Sequence, residues 1–172
     1  EDPALRSVQI EDFSDIQYRG FIEGFYGGWD YKSRESLMRF ARDVKMNHYI
    51  YASKTDPYHT SKWGELYPQS EIDQIQKLVK VGEETKCYYT WSVHISGFFT
   101  NLDTSNETAY NERYQKLLAK FRQLYDAGVR KFDILNDDFG QGTHEDVVNL
   151  LNKLTKEFII PNNCKPITYC MQ

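Results

Sequence analysis

Two adjacent carboxylates, Asp137 and Asp138, follow Asn136 at the end of Lys131 to Leu135, a segment with the pattern of a buried strand. Mutual repulsion and partial desolvation are expected to raise the pKa of at least one of them, which places a protonated acid beside an ionised one. Cleavage of a glycosidic bond needs that combination. The same pair could instead cap a helix or loop, and these residues alone leave both interpretations open.

The spacing of this pair also limits the mechanism. Neighbouring side chains on an extended segment point to opposite sides, so both aspartates can serve one ligand only if the backbone bends after the strand. Even then, adjacent residues do not fit the two opposed carboxylates of an ordinary retaining glycosidase. A different division of roles between Asp137 and Asp138 is therefore expected.

Glycines and a lysine follow two earlier strands. The stretch GFIEGFYGGW at 20–29 places Gly24, Gly27 and Gly28 where a missing Cβ would let the backbone approach a sugar ring, although a tight turn explains them equally well. They do not form the GxGxxG pattern of a dinucleotide site. Lys54 follows the second strand and could donate hydrogen bonds to sugar hydroxyls, or could simply be a solvated surface group.

Histidine and cysteine spacing predicts no metal site and no cofactor. The four histidines are dispersed, without an HExxH pattern, and among them His59 and His94 are expected to stabilise loops rather than to bind a ligand. The three cysteines show no CxxC pattern. Ordinary buried thiols are the expectation for Cys87, Cys164 and Cys170, with a bridge between the last two left open.

Charge and hydropathy exclude two classes of partner. The net charge of −4 comes from 21 basic and 25 acidic residues without a basic block, which argues against nucleic acid binding. No apolar run approaches the roughly 20 residues of a membrane span, and residues 1–18 lack the features of a signal peptide. The sequence gives no localisation, although a bacterial source would favour a secreted or cell-surface protein.

Strand and helix patterns alternate along the chain and predict an α/β fold with a parallel sheet. The expected strands are Arg19–Gly24, Asn47–Ala52, Cys87–Val93, Lys131–Leu135 and Pro166–Cys170. Ser33, Ser70 and Thr143 are expected to cap three of the helices. The carboxyl ends of parallel strands meet at one edge, so Gly24, Lys54 and Asp137 should share a rim.

The architecture is either an open doubly wound sheet or part of a (β/α)8 barrel. A complete barrel needs at least ~200 residues, so 172 residues with five strands predict its N-terminal portion, truncated. Residues 1–18 are expected to form a leading segment or linker, and 19–172 a partial catalytic domain. Unpaired edges of such a sheet predict self-association.

Three stretches carry a family resemblance that covers nearly the whole chain. They are RGFIEGFYGGW at 19–29, NHYIYASKTDPYH at 47–59 followed by KWGELYP at 62–68, and GVRKFDILNDDFG at 128–140. In order and spacing they resemble the catalytic domain of family 84 glycoside hydrolases, the β-N-acetylglucosaminidases that include O-GlcNAcases and bacterial enzymes called hyaluronidases.

The resemblance implies a (β/α)8 barrel and a retaining mechanism in which the substrate's 2-acetamido oxygen attacks the anomeric carbon. Asp137 would orient the acetamido group, Asp138 would act as acid and base, and Gly24 and Lys54 would bind sugar hydroxyls. The partner would be a glycan or glycoprotein carrying N-acetylglucosamine. The family's sugar ligands from later strands have no counterpart here, so the chain alone is expected to be nearly inactive.

Two other functions remain open from the sequence. A catalytically silent carbohydrate-binding or structural fragment would keep the barrel without turnover. An open-sheet phosphate-binding protein would need a P-loop or a basic site, and the sequence contains neither.

Overall fold

The computed structural model describes residues 7–137 and 142–171, in which five parallel strands form one sheet. The strands are β1 (Gly20–Glu23), β2 (His48–Tyr51), β3 (Tyr88–His94), β4 (Phe132–Leu135) and β5 (Thr168–Cys170). The helices are α1 (Tyr31–Asp43), α2 (Gln69–Thr85), the short α3 (Ser96–Phe99), α4 (Glu107–Asp126) and α5 (His144–Leu154), which a π-helical turn at Thr155–Ile159 continues.

The strand order decides between the two predicted architectures. Each strand pairs with its predecessor along the chain, giving the order β1-β2-β3-β4-β5. A doubly wound sheet reverses its strand order at a switch point, whereas a barrel adds every strand on the same side. The sheet is a curled half-barrel, and the predicted N-terminal portion of a (β/α)8 barrel is confirmed.

The main core lies between the sheet and its helices and is largely aromatic. Alternation along the strands turns Tyr89, Trp91 and Phe132 towards the helices, where Phe121 of α4 stacks on Phe132 at 4.6 Å between ring centroids. Phe158 meets the same two phenylalanine rings edge-on. These contacts hold β3 and β4 against the helix layer, which fixes where their carboxyl ends emerge.

The opposite face of the sheet lines the inside of the curl and is more polar. His48, Thr90, Ser92, Lys131 and Asp133 lie on it and are buried. At the β1 edge the strands approach closely, because a Cβ built on Gly20 would lie 1.8 Å from the carbonyl oxygen of His48. A glycine is therefore required at that position for β1 to pair with β2.

The helical spacing of Leu37, Phe40, Ala41 and Val44 predicts that they form the buried face of α1. The prediction is confirmed for Ala41, which is fully buried, and is wrong for Phe40 and Val44, which are 57% and 47% exposed. The helix instead buries Arg34, Met38 and Ala41. The buried carboxylate of Glu23 explains the rotation, because its ion pair with Arg34 turns that residue towards the sheet.

The helix caps follow the local sequence in only one of three cases. Thr143 forms the expected cap of α5, because its hydroxyl oxygen accepts the backbone N–H of Asp146. In return, the Asp146 carboxylate accepts the backbone N–H of Thr143. Ser33 does not cap α1, because Asp30 accepts the Ser33 N–H and takes the cap position. The α2 helix begins after Pro68 without a side-chain cap, so the expected Ser70 cap is also wrong.

The cysteines form no disulfide. Cys87, Cys164 and Cys170 are free, and only Cys87 is buried, so the expectation of three buried thiols holds for that residue alone. The open possibility of a bridge between the last two is not realised in the structure.

Candidate active site

Lys54 and Asp137 meet at the carboxyl edge of the sheet. Lys54 follows β2 and Asp137 follows β4, and the Lys54 Nζ lies 3.5 Å from the Asp137 Oδ2 across the end of β3. His94, the last residue of β3, contacts Asp137 as well, with its Nε2 at 2.9 Å from the backbone carbonyl oxygen of Asp137. Three consecutive strands thus contribute one residue each to a single polar group.

The two oxygens of the Asp137 carboxylate have different surroundings. Oδ1 is buried and has no hydrogen-bond partner within the described residues, although His94 Nε2 lies 3.5 Å away. Oδ2 faces Lys54, and the side chain as a whole is 40% exposed. A ligand can therefore reach Asp137 at Oδ2, beside the ammonium group of Lys54. Asp138 lies outside the described residues.

Gly24 lies at the same edge but does not join this contact. It follows Glu23, whose carbonyl oxygen accepts the N–H of Ala52 at 3.2 Å and so places Gly24 beside the β2 loop. A Cβ added to Gly24 would meet only the side chain of Ile22 within 4 Å. Among the described residues, no hydrogen bond joins Gly24 to Lys54 or Asp137, and Gly24 is exposed.

The other glycines of the first loop have a structural role. Gly27 and Gly28 take positive φ angles of 102° and 24°, which side-chain-bearing residues rarely adopt. A Cβ on Gly28 would lie 2.5 Å from Thr55 Oγ1 and 2.8 Å from Ser53 Oγ. These glycines form a tight turn that packs onto the loop carrying Lys54, so the turn interpretation applies to them.

A buried carboxylate that the sequence did not single out anchors this turn. Glu23 is fully buried and accepts two hydrogen bonds of 2.8 Å from Arg34, one from the Tyr49 hydroxyl and one of 2.9 Å from the Trp29 N–H. Burial opposes ionisation, yet the donors from Arg34, Tyr49 and Trp29 hold the pKa of Glu23 below its usual value. The result is a fixed link between β1, α1 and the glycine turn.

The loop after β2 is held by a second buried network. Asp56 Oδ2 accepts hydrogen bonds from the hydroxyls of Tyr51 and Tyr67, at 2.9 and 2.6 Å. Lys120, buried on α4, donates to the carbonyl oxygens of Tyr58 and Lys62. The segment that carries Lys54 is therefore rigid despite its length, a property that its Lys, Asp, Pro and His composition does not reveal.

Two further features bear on the class of site. No group of three or more His, Cys, Asp or Glu side chains is arranged to hold a metal ion within the part of the chain that the structure describes. None of its described helices is long and apolar enough to cross a membrane.

Comparison with known proteins decides the family. The model of the β-N-acetylglucosaminidase family matches residues 19–172, nearly the whole chain. The chain belongs to this family. The glycosidase resemblance read from the three motifs is thereby confirmed, and the open-sheet phosphate-binding alternative is excluded by both the family and the strand order.

Known relatives of the chain agree with it in sequence and in fold. The proteins named Protein O-GlcNAcase from Rattus norvegicus and from Mus musculus are each 29% identical over 120 residues, 69% of this chain and 12% of theirs. The solved structure titled "Structure of CpGH84D" is 40% identical with a TM-score of 0.85, and "Structure of CpGH84B" is 35% identical with a TM-score of 0.81.

The matched regions are a minor part of those proteins. The alignment covers 93% of this chain but 27% of the CpGH84D chain, and 89% of this chain but 27% of the CpGH84B chain. The chain thus spans about a quarter of the solved glycosidase structures and about an eighth of the curated O-GlcNAcases.

Proposed function

We propose that this chain carries the catalytic aspartates of a retaining β-N-acetylglucosaminidase that removes terminal N-acetylglucosamine from glycans or glycoproteins. The observation that carries the proposal is the contact of Lys54 with Asp137 at the carboxyl rim of a half-barrel of this family. Family membership gives the reaction class, and the contact shows which sequence-predicted residues come together.

In the proposed mechanism the substrate supplies the nucleophile. Its acetamido oxygen bonds to the anomeric carbon while the glycosidic C–O bond breaks, and Asp138 donates a proton to the departing oxygen. Water then attacks the anomeric carbon and gives a proton to Asp138, and the electron pair of the opening oxazoline ring returns to the acetamido oxygen. Two inversions at one carbon give overall retention, without an enzyme nucleophile.

Asp137 has the surroundings that its proposed role requires. Its exposed Oδ2 can accept a hydrogen bond from the acetamido N–H, which orients the carbonyl oxygen and stabilises the positive charge of the oxazolinium ion. Lys54 donates to a sugar hydroxyl from the same side. The exposed backbone carbonyl of Gly24 accepts a hydrogen bond from a hydroxyl of the same sugar.

The direct test is hydrolysis of a 4-nitrophenyl N-acetyl-β-glucosaminide by the natural protein that carries this chain, at its full encoded length. Asp137→Asn should lower kcat by about 100-fold or more, because the oxazolinium ion loses its stabilising charge. Asp126→Asn, at the exposed last residue of α4, serves as the matched control and should leave kcat unchanged. The isolated chain is expected to be nearly inactive.

Two results would contradict this proposal. A natural protein that binds N-acetylglucosamine but does not hydrolyse the glycoside would support the catalytically silent alternative.

Substrates with one to three fluorines on the acetamido methyl group test whether the acetamido oxygen is the nucleophile. Fluorine withdraws electrons and so lowers the nucleophilicity of that oxygen. A steep fall in kcat along that series is expected, and a flat series would show that the acetamido group does not attack.

We also propose that the isolated chain associates with itself through the edges of its sheet. Within the described residues, β1 and β5 each pair with only one neighbour. Unpaired backbone groups on an edge strand are a template for another strand.

A further inference from the structure

We infer that His94 is a positioning residue for the proposed glycosidase reaction and that its imidazole fixes the peptide plane between Asp137 and Asp138. The inference rests on the proposed function, which assigns the two aspartates different roles. His94 makes its contact with the backbone rather than with a substrate, so its effect is on where the two carboxylates lie.

Two hydrogen bonds fix the tautomer of the His94 ring. The backbone N–H of Ser96 points at Nδ1, at 3.3 Å, so Nδ1 is an acceptor. The proton of the neutral ring is then on Nε2, which donates to the carbonyl oxygen of Asp137 at 2.9 Å. A carbonyl oxygen can only accept, so this arrangement satisfies both partners.

The acceptor carbonyl has particular importance for the mechanism. Its carbon is bonded to the nitrogen of Asp138, so the orientation of this one peptide plane affects the directions in which both carboxylates leave the chain. Neighbouring residues of a regular strand would point to opposite sides, and the proposed mechanism needs them on one substrate. We expect a donor on the Asp137 carbonyl oxygen to hold this plane in the orientation that the proposed mechanism needs.

His94 is rigid enough to serve as such a donor. Its backbone N–H donates to the carbonyl oxygen of His59 at 2.9 Å, and its strand pairs with β4 next to Leu135. The side chain is only 13% exposed, and Nε2 also lies 3.5 Å from Asp137 Oδ1. A bond from an ordered ring costs little conformational entropy, so the peptide plane is set before the substrate binds.

Two substitutions separate this role from a packing role. His94→Phe keeps a ring of similar size and removes the donor, whereas His94→Gln keeps an N–H donor at a similar reach. Both are measured in the full-length natural protein with two substrates, the phenyl and the 2,4-dinitrophenyl N-acetyl-β-glucosaminides. The dinitrophenolate group leaves without a proton, so its release does not depend on the position of the acid.

Under the proposal, His94→Phe lowers kcat on the phenyl glycoside about 100-fold, as expected for a misplaced catalytic group, with KM changed by less than about threefold. The loss of kcat/KM, which reports bond cleavage and not the later step in which Asp138 acts as base, is at least about tenfold smaller on the dinitrophenyl glycoside than on the phenyl glycoside. His94→Gln recovers most of the lost activity. Equal losses on both substrates, or no recovery with Gln, would overturn the inference and leave only a packing role.

A spectroscopic measurement tests the same contact without any activity. The ¹⁵N shifts of the His94 ring at neutral pH should show a protonated Nε2 and an unprotonated Nδ1. The opposite tautomer would overturn the inference whether or not the protein hydrolyses a glycoside. A wild-type protein with the expected tautomer but no activity would refute the proposed function alone.

Discussion

At the scale of single residues, Asp133 has the most costly environment among the described carboxylates. It lies on the inner face of β4 and is 1% exposed, and its buried carboxylate oxygens have only a poorly aligned donor contact, from Thr168 of β5. Burial raises its pKa to about 6, and the charge of Lys131 and the Thr168 contact only partly oppose this. The folded protein therefore favours the protonated acid more strongly than the unfolded chain does.

The Asp133 prediction concerns stability against pH. Its pKa is raised from 3.8 to about 6 on folding, so its contribution is fully favourable below pH 3.8 and is lost as the pH rises through 6. Asp133→Asn removes this dependence. The unfolding free energy of the mutant minus that of the wild type should rise by on the order of 2 kcal/mol as the pH goes from 4 to 7. Urea unfolding at several pH values measures the difference.

Comparing mutant with wild type isolates Asp133 from the histidines that titrate in the same range. Burial lowers the pKa of His48 and of His59 to about 4. Each histidine therefore lowers the stability of the fold as the pH falls from 6.5 towards 4, an effect opposite in sign to that of Asp133. Both histidines are present in both proteins and cancel in the difference. A pH-independent difference between mutant and wild type would contradict the prediction.

At the scale of elements, α4 supports the site through one buried lysine. The ammonium of Lys120 lies over the rings of Tyr58 and Tyr67, at 5.2 and 5.1 Å from their centroids, and donates to two carbonyl oxygens of the β2 loop. Burial lowers its pKa to about 7. The α4 helix thus stabilises the loop that carries Lys54, the residue that contacts Asp137.

Removing that ammonium should loosen the loop. Lys120→Met leaves the carbonyls of Tyr58 and Lys62 without their donor, at a cost of about 1–3 kcal/mol for each buried group. Amide hydrogen exchange at residues 59–63 should accelerate at least about tenfold, because their turn hydrogen bonds open more often. Lys116→Met, an exposed site one turn earlier on α4, is the control and should leave exchange unchanged. Unchanged exchange in Lys120→Met would show that the loop holds itself.

At the scale of the whole molecule, the open curl leaves an apolar edge. Ile22, on the inner face of β1, is 50% exposed beside backbone groups that no described strand pairs. Unpaired edges with exposed apolar side chains favour association, and a charge placed on the edge opposes it.

The isolated chain should therefore form dimers or larger species that a single charge disrupts. Sedimentation velocity over a range of concentrations is expected to show association of the wild type and a monomer for Ile22→Lys. Val148→Lys, at a 51% exposed position on α5, tests a similar change away from the sheet edge and should still associate. A monomeric wild type at high concentration would refute self-association.

Much of this molecule follows from local sequence. Alternating strand and helix patterns gave five strands within one or two residues of their observed bounds, because burial on one side imposes its period on the sequence. The position of Asp137 at a strand end, and of Lys54 after another, followed from the same patterns. The three motifs indicated the glycosidase family, which the family model confirms.

The tertiary structure alone decided which partners these residues have. Lys54 and Asp137 are 83 residues apart, and no local period reports their contact. The buried pair of Glu23 and Arg34 rotated the buried face of α1 away from the expected one, and Lys120 is buried although lysines are usually exposed. The periodicity of apolar residues indicates which positions of a helix or strand face the core. Charge pairing depends instead on groups that only the folded chain brings together.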